Sequence, residues 1–447
     1  MPTPLGRRQF LTGLSALAAG STLAACSGQK SSTGGTSPSA SGSAAAAPGE
    51  KITLNFWAWG TSQPGLVKAW NKANPDIQVK HTDAGGGTDS STKMLTASRS
   101  GNAPDVGLVE YTTLPAMIVG EVASDITSHV QDIKSSFTEA TWGQTTFNGA
   151  IYGIPQDVGP MAMVYNETRF KALGIELPTT WQDFATAAES VRKADSKSYL
   201  TVFSPQEFGN FAGLAQQAGS SWWKVDGDTW TVGIADEASM KVADFWQDLV
   251  ERDLVKVEAL LTPQYNKELN AGQVLTWPSA LWAPGVIYGA APGQAGKWAM
   301  ARFPQWTQGD ARVAYQGGSA AVVTTSSKQP EAAAKFAAWI NSSKQGADIQ
   351  LGTGQYPASI LGQQAAVASK PPVLMPQQED FWKLASEIAA ETIPSISWGP
   401  NVNVASSAFQ DAMTKALAKK TPLRDALSAT QEAVVADMRK TGFKVNG

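Results

Sequence analysis

Apolar and polar residues alternate from Ile52 to Trp59 (ITLNFWAW), the period of a strand with one buried face, and the run ends near Gly60. The period then changes. Leu66 to Asn74 has helical spacing and is closed by Pro75, and Ile77 to Lys80 returns to a strand pattern. Met94 to Ser100 reads as a helix stopped by Gly101, and Asp105 to Val109 as a third strand. Strands that alternate with helices predict an α/β body built on a parallel sheet.

Further along, Trp181, Phe184, Ala185, Ala188 and Val191 recur at helical spacing and predict a helix over 181–193. Thr180 stands at its N-cap with Asp183 three residues on, the spacing of a capping box with Asp in place of Glu. Asp226-Gly227 between Lys224 and Trp230 marks a hairpin turn. Met240, Ala243, Trp246, Leu249 and Val250 form the apolar face of a helix over 237–251. Helices are also predicted over 332–340, 380–390 and 404–438, the last broken at Pro422. No internal repeat is present.

The first residues have a different logic. Arg7-Arg8 precedes an apolar run that ends in Leu23-Ala24-Ala25-Cys26, the parts of a signal peptide over residues 1–25. The paired Arg followed by Phe10-Leu11 looks like a twin-arginine signal. Leu23 to Cys26 resembles a bacterial lipobox, which would lipidate Cys26, the single cysteine of the chain. Residues 26–50 are Gly/Ser/Ala-rich and lack large apolar side chains, so they read as a lipidated flexible tether. Two or more acyl chains give stable anchoring where one does not. The expected location is the extracellular face of the cell membrane.

Composition narrows the chemistry. The 447 residues carry 35 basic and 38 acidic side chains, and loss of Arg7 and Arg8 takes the formal charge from −3 to −5. That balance argues against a nucleic-acid partner, which needs a basic surface. One Cys excludes an internal disulfide, and two His exclude a three-His zinc site. The chain lacks a phosphate-cradling G-x-x-x-x-G-K-[ST] and an H-E-x-x-H, and the mature part lacks G-x-S-x-G. Nothing in the sequence asks for a cofactor, a metal or a catalytic residue. A carboxylate pair for glycoside hydrolysis leaves no sequence spacing to search for, so a secreted glycoside hydrolase stays open as an alternative.

Trp outnumbers Tyr by 16 to 8. Roughly ten of these Trp are assigned to packing, among them Trp70, Trp181, Trp246, Trp339 and Trp382. Others lie near turns or strand ends: Trp59, Trp222, Trp277, Trp282 and Trp398. The negative face of an indole stacks on the slightly positive C–H face of a pyranose. Sugar hydroxyls then need polar partners at the ring edge.

The order of several short motifs resembles the extracellular solute-binding proteins of family 1, the maltose-binding-like group that serves sugar ABC importers. The motifs are Ala69 to Pro75 (with Trp70 where the family more often has Phe), Gly101 to Val106, Tyr152-Gly153-Ile154-Pro155, Pro178 to Trp181, Ala271-Gly272-Gln273 and Gly317-Gly318-Ser319. The resemblance implies an α/β fold of two lobes with a hinge and an interlobe ligand cleft. Residues 51–155 with about 315–357 would form lobe 1, and 156–314 with about 358–447 lobe 2. It implies a di- or oligosaccharide ligand, ABC permease subunits as partners and a monomer without enzyme activity. Carried over by position, the ligand-binding residues would be Trp59, Gln63, Glu110, Tyr111, Gln156, Asp157, Trp222, Trp277, Trp282, Gly317, Gly318, Tyr356 and Trp398. The same fold with a phosphorylated polyol is a further alternative, which would require convergent Arg side chains.

Overall fold

A computed structural model describes residues 51–393 and 398–446. The leader, Cys26 and the tether lie outside the described residues. Strands β1 (Ile52–Trp57), β2 (Ile77–Thr82), β3 (Val106–Glu110) and β4 (Ile154–Asp157) contribute to one sheet. Strands β5 (Met161–Tyr165), β6 (Thr276–Ala280) and β7 (Ala299–Ala301) form a second, and β8 (Ser319–Val323) returns to the first.

The five-stranded order is β2-β1-β3-β8-β4. β1 runs parallel to β2 and β3, as the alternation of strand and helix predicts. β8 departs from that expectation: it lies antiparallel between β3 and β4. The reason is its path. It arrives from the second sheet at the carboxyl ends of β3 and β4, so it can only enter in the opposite direction. All five residues of β8 (SAAVV) are buried, and the small side chains suit a strand covered on both faces.

Helix α1 (Gln63–Ala73) packs on β2, and α2 (Gly87–Arg99) packs on β3. Helix α3 (Trp181–Ala194) opens with the expected capping box. Asp183 N–H donates to Thr180 Oγ1 at 3.0 Å, and Thr180 N–H donates back to Asp183 Oδ2 at 3.0 Å. Helix α4 (Phe208–Gln217) lies beside α5 (Glu237–Glu251), and α6 (Pro330–Ser342) covers β4 and β8. Pro422 separates α7 (Val402–Lys419) from α8 (Leu423–Lys440), which pack on each other. α7 touches α4 near the second sheet and α2 beside the first.

The hairpin pairs Trp223–Asp226 with Thr229–Val232, and the residues between them are Gly227-Asp228. Gly227 has φ 58°, a conformation that costs glycine little.

Candidate functional site

The chain crosses between the two sheets three times, side by side. Residues 158–160 lead from β4 into β5. Residues 315–318 lead back, with Pro160 bridged to Tyr315. A third passage lies at 356–358, where Pro357 is bridged to Asp157. Backbone approaches backbone closely here: a Cβ on Gly159 would stand 2.2 Å from Gln316 O. Gly317 and Gly318 have φ 74° and 87°, which disfavours any other residue. Rings approach both. A Cβ on Gly318 would meet the Tyr111 ring at 2.9 Å, and one on Gly317 would meet Trp282 Nε1 at 3.4 Å. Tyr111 Oη donates to Asp157 O at 3.0 Å, and Trp282 Nε1–H donates to Gln316 O at 2.8 Å. Two aromatics, one from each side, therefore brace the returning crossing.

Three carboxyls converge on these crossings. Asp157 ends β4 and is buried; its Oδ1 accepts from Ser319 N–H at 2.9 Å and from Ser319 Oγ at 2.5 Å. Burial raises its pKa, while the Ser319 and Gln355 hydrogen bonds oppose the rise. Glu110 ends β3. Burial pushes its carboxyl up to about 7, the Thr112 hydroxyl opposes this, and the charges of Asp157 and Glu207 add to it. Glu207 precedes α4 on the other side of the crossings, and burial pushes it up to about 7 as well. Glu110 and Glu207 each keep some accessible surface while protein surrounds them, as on the wall of a narrow cleft.

Amides join the carboxyls. Ser62 Oγ donates to Gln355 Oε1 at 2.6 Å, and Gln63 Nε2 donates to Gln156 Oε1 at 3.3 Å. Gln63 and Gln156 are fully buried, yet Gln63 Oε1 and Gln156 Nε2 have no partner. A buried polar atom left unpaired costs about 1–3 kcal/mol, so a ligand or water there would recover free energy. On the α4 side, Gln316 Nε2 reaches Glu207 Oε2 at 3.5 Å, and Gln316 Oε1 accepts from Asn210 Nδ2 at 2.9 Å and Ser279 Oγ at 3.2 Å.

The aromatic candidates divide. Trp59 is half-buried against Gly86, and the neighbouring Gly87 faces Glu110 Oε1, so Trp59 and Glu110 share one rim. Trp282 is half-buried, and Trp277 meets it edge-on at 5.6 Å. Trp277 is itself buried and lines a cavity of about 20 Å³ with Glu207, Asn210, Thr201, Ser204 and Trp246. Trp398 is half-buried beside Trp223 and Phe208. Two rings stand elsewhere than expected. Trp222 lies in the core against Phe208, Phe211 and Phe409, with its Nε1–H donated to Ser239 Oγ at 3.0 Å. The Tyr356 ring is stacked on Trp382 in the core, although its backbone O accepts from Val158 N–H at the third crossing. Adjacent aromatics and a preceding Gly-rich loop carry no sign of which way a ring turns.

Sequence reasoning missed Glu207, Asn210, Gln316 and Gln355. No motif marks them, because each gains its place only when α4 and the crossings come together.

The model of the family described as bacterial extracellular solute-binding protein matches residues 44–347. An arabinooligosaccharide-binding protein of Halalkalibacterium halodurans is 28% identical over 64% of this chain, and the match spans 66% of that relative. One from Bacillus subtilis is 26% identical over 66% of this chain and 70% of its own length. Among solved structures, the ABC transporter associated binding protein of B. animalis subsp. lactis in complex with β-1,6-galactobiose superposes with TM-score 0.83 at 23% identity, over 89% of this chain and all of that one. The galacto-N-biose-/lacto-N-biose I-binding protein of Bifidobacterium longum gives TM-score 0.79 at 26% identity, over 90% of this chain and all of that one. The two α/β bodies joined by three crossings are the fold of these two-domain sugar-binding proteins. With the family match over most of its length, the chain belongs to the bacterial extracellular solute-binding proteins.

Proposed function

We propose that this chain is the substrate-binding lipoprotein of an ABC importer, which captures a di- or oligosaccharide between its two bodies and delivers it to a membrane permease. One observation carries the reading: half-buried Trp59 and Trp282, the carboxyls of Glu110, Asp157 and Glu207, and unpaired amide atoms of Gln63 and Gln156 gather around the three crossings. Indole faces suit the C–H faces of sugar rings, and carboxyls and amides suit their hydroxyls. Pockets between domains are the usual place for such ligands, and crossings of this kind act as hinges. Relatives named for arabinooligosaccharides and maltooligosaccharides support the ligand class. A relative named as a lipoprotein supports an anchor at Cys26 on the outer face of the membrane.

We place β1 to β4, β8 and α6 in lobe 1, and β5 to β7 with α3 to α5, α7 and α8 in lobe 2. Of the expected contacts, Trp59, Gln63, Glu110, Tyr111, Gln156, Asp157, Trp277, Trp282, Gly317, Gly318 and Trp398 remain in the proposed cleft, and Glu207 joins them. The protein works as a monomer that binds and releases without turnover.

Intrinsic Trp fluorescence of the full-length protein, titrated with arabinotriose, maltotriose, lactose and β-1,6-galactobiose, tests this. A saturable change with at least one of them is expected; a response to peptides or amines alone would sink the proposal. The raised carboxyls of Glu110 and Glu207 are also what a general acid of a glycoside hydrolase needs. Monosaccharide released on long incubation with a bound sugar would favour that second reading.

A further inference from the structure

Gln316 stands on the returning crossing, buried, with all its polar groups engaged. Its main-chain N–H donates to Gly159 O at 2.8 Å, and its main-chain O accepts from Trp282 Nε1–H at 2.8 Å. Its side-chain Oε1 accepts from Asn210 Nδ2 at 2.9 Å and from Ser279 Oγ at 3.2 Å. Its Nε2 reaches Glu207 Oε2 at 3.5 Å.

The polarity of this network allows one arrangement. Asn210 Nδ2 also donates to Pro278 O at 2.8 Å, and a main-chain carbonyl can only accept. That fixes which way the Asn210 amide points. A donor from Asn210 then calls for the oxygen of the Gln316 amide, which the Ser279 hydroxyl joins. The Gln316 nitrogen is left to face the acceptor-only carboxylate of Glu207. Asn210 lies on α4 and Ser279 on β6, so the side chain ties the crossing to the body built on the second sheet.

Two residues further on, the anchors belong to the other body. Tyr111 N–H donates to Gly318 O at 3.1 Å, and Ser319 N–H and Oγ donate to Asp157 Oδ1. Between these two sets of anchors stands Gly317, at φ 74°.

We propose that Gln316 is a positioning residue for ligand capture: its main-chain O sets the Trp282 ring and its side-chain amide sets the Glu207 carboxyl, so that both keep one arrangement when the two bodies turn about Gly317. This rests on the interlobe cleft proposed above and goes beyond it, because Gln316 itself is assigned no contact with the ligand. A binding group held by packing and by a supporting hydrogen bond loses less freedom when the ligand arrives. Trp282 is half-buried, so its indole N–H bond to the crossing is what limits how the ring can turn.

A double-mutant cycle on the full-length protein tests this at about pH 8.5, above the value of about 7 to which burial pushes Glu207. Gln316→Glu keeps the length of the side chain and an acceptor for Asn210 and Ser279, but turns a carboxylate oxygen toward Glu207. Affinity for whichever of arabinotriose, maltotriose, lactose and β-1,6-galactobiose binds should fall about tenfold, within the usual coupling of residues in contact. In protein that already carries Glu207→Gln, the same change should cost less than about twofold, because an amide at 207 then donates to the carboxylate at 316. Equal losses in the two backgrounds would overturn the proposal.

Hydrogen exchange of the Trp indole N–H groups in the ligand-free protein, followed by nitrogen-15 NMR, separates positioning from general destabilisation. The Trp282 signal is assigned by its absence from Trp282→Phe. The indole N–H groups of Trp70 and Trp382 serve as references, since they donate to Ile77 O and Lys370 O at 2.8 Å away from the network. Gln316→Glu should speed exchange at Trp282 and leave the two references as they are. Unchanged exchange at Trp282, or an equal rise at all three, would overturn the proposal. Ser279→Ala, which removes one donor to Gln316 Oε1, takes its place if Gln316→Glu does not fold, with the same two outcomes. If none of the four sugars binds, it is the saccharide reading that fails, and the exchange at Trp282 decides the role of Gln316 by itself.

Discussion

At the scale of single residues, the crossings are expensive. Gly159 and Gly318 leave no room for a side chain, Gly317 sits at a positive φ, Gln63 and Gln156 keep unpaired polar atoms, and among the described residues Glu207 is enclosed without a cation. Sites that bind commonly hold such costs, which local structure elsewhere offsets. Glu207 allows the cost to be measured. An unfolded Glu titrates near its ordinary 4.5, whereas burial holds the native group at about 7. Between those values the native state keeps a proton that the unfolded state has lost. Stability from this group is therefore greatest below pH 4.5 and falls as pH rises to about 7, after which it is flat. Glu207→Gln removes the term and preserves an oxygen for Gln316. The variant should match the wild type near pH 4 and exceed it near pH 8 by about 2 kcal/mol, with partial exposure allowed for. Urea unfolding at the two pH values checks it; equal stability at both would mean that Glu207 is well solvated.

At the scale of elements, much was legible because burial follows the helical and strand periods. The helix predicted over 181–193 is Trp181–Ala194, and the one predicted over 237–251 is Glu237–Glu251. Ten of the sixteen Trp are buried, matching the share assigned to packing, although Trp222 and Trp277 are among them and Trp339 is only half-buried. Legibility fails where polar residues do the packing. α2 begins at Gly87, well ahead of the expected Met94, because Ser90 and Ser91 are buried in its first turns and Ser91 Oγ donates to Thr113 Oγ1 at 2.8 Å. Buried serines give no apolar period to read. The Thr180 cap is the clearest case where a local motif and its geometry agree. Asp183 Oδ2 accepts from Thr180 N–H and also from Thr179 Oγ1 at 2.9 Å, and these bonds lower its pKa. Thr180→Ala removes the hydroxyl that caps Asp183 N–H and should cost about 1 kcal/mol. Thermal unfolding of the variant measures it. Because α3 lies away from the crossings, sugar affinity should stay the same.

At the scale of the whole molecule, the sequence shows two kinds of chain, and the site depends on how the second kind folds back on itself. Glu110, Asp157, Glu207 and Gln316 are far apart in sequence. They meet because β8 returns antiparallel between β3 and β4, and no local pattern announces that return. The motifs around Tyr152 to Pro155 and Gly317-Gly318-Ser319 could be recognised as a family order, but Glu207 and Gln316 could not. The first kind of chain, residues 1–50, lies outside the described residues. Read as the expected tether, these Gly/Ser/Ala-rich residues would reach roughly 25–30 Å from a membrane anchor. Anchoring and binding should therefore separate cleanly. Cys26→Ser removes the thiol that would carry the lipid and leaves residues 51–446 untouched. In a bacterial host that processes lipoproteins, the variant should move from the membrane fraction to the medium or periplasm. Its fluorescence response to sugar should equal that of the wild type. A variant that stays with the membrane would show that something other than Cys26 holds the chain there. A variant that is released but no longer binds would show that the tether takes part in the cleft, and the division of the molecule into anchor and binding body would have to be redrawn.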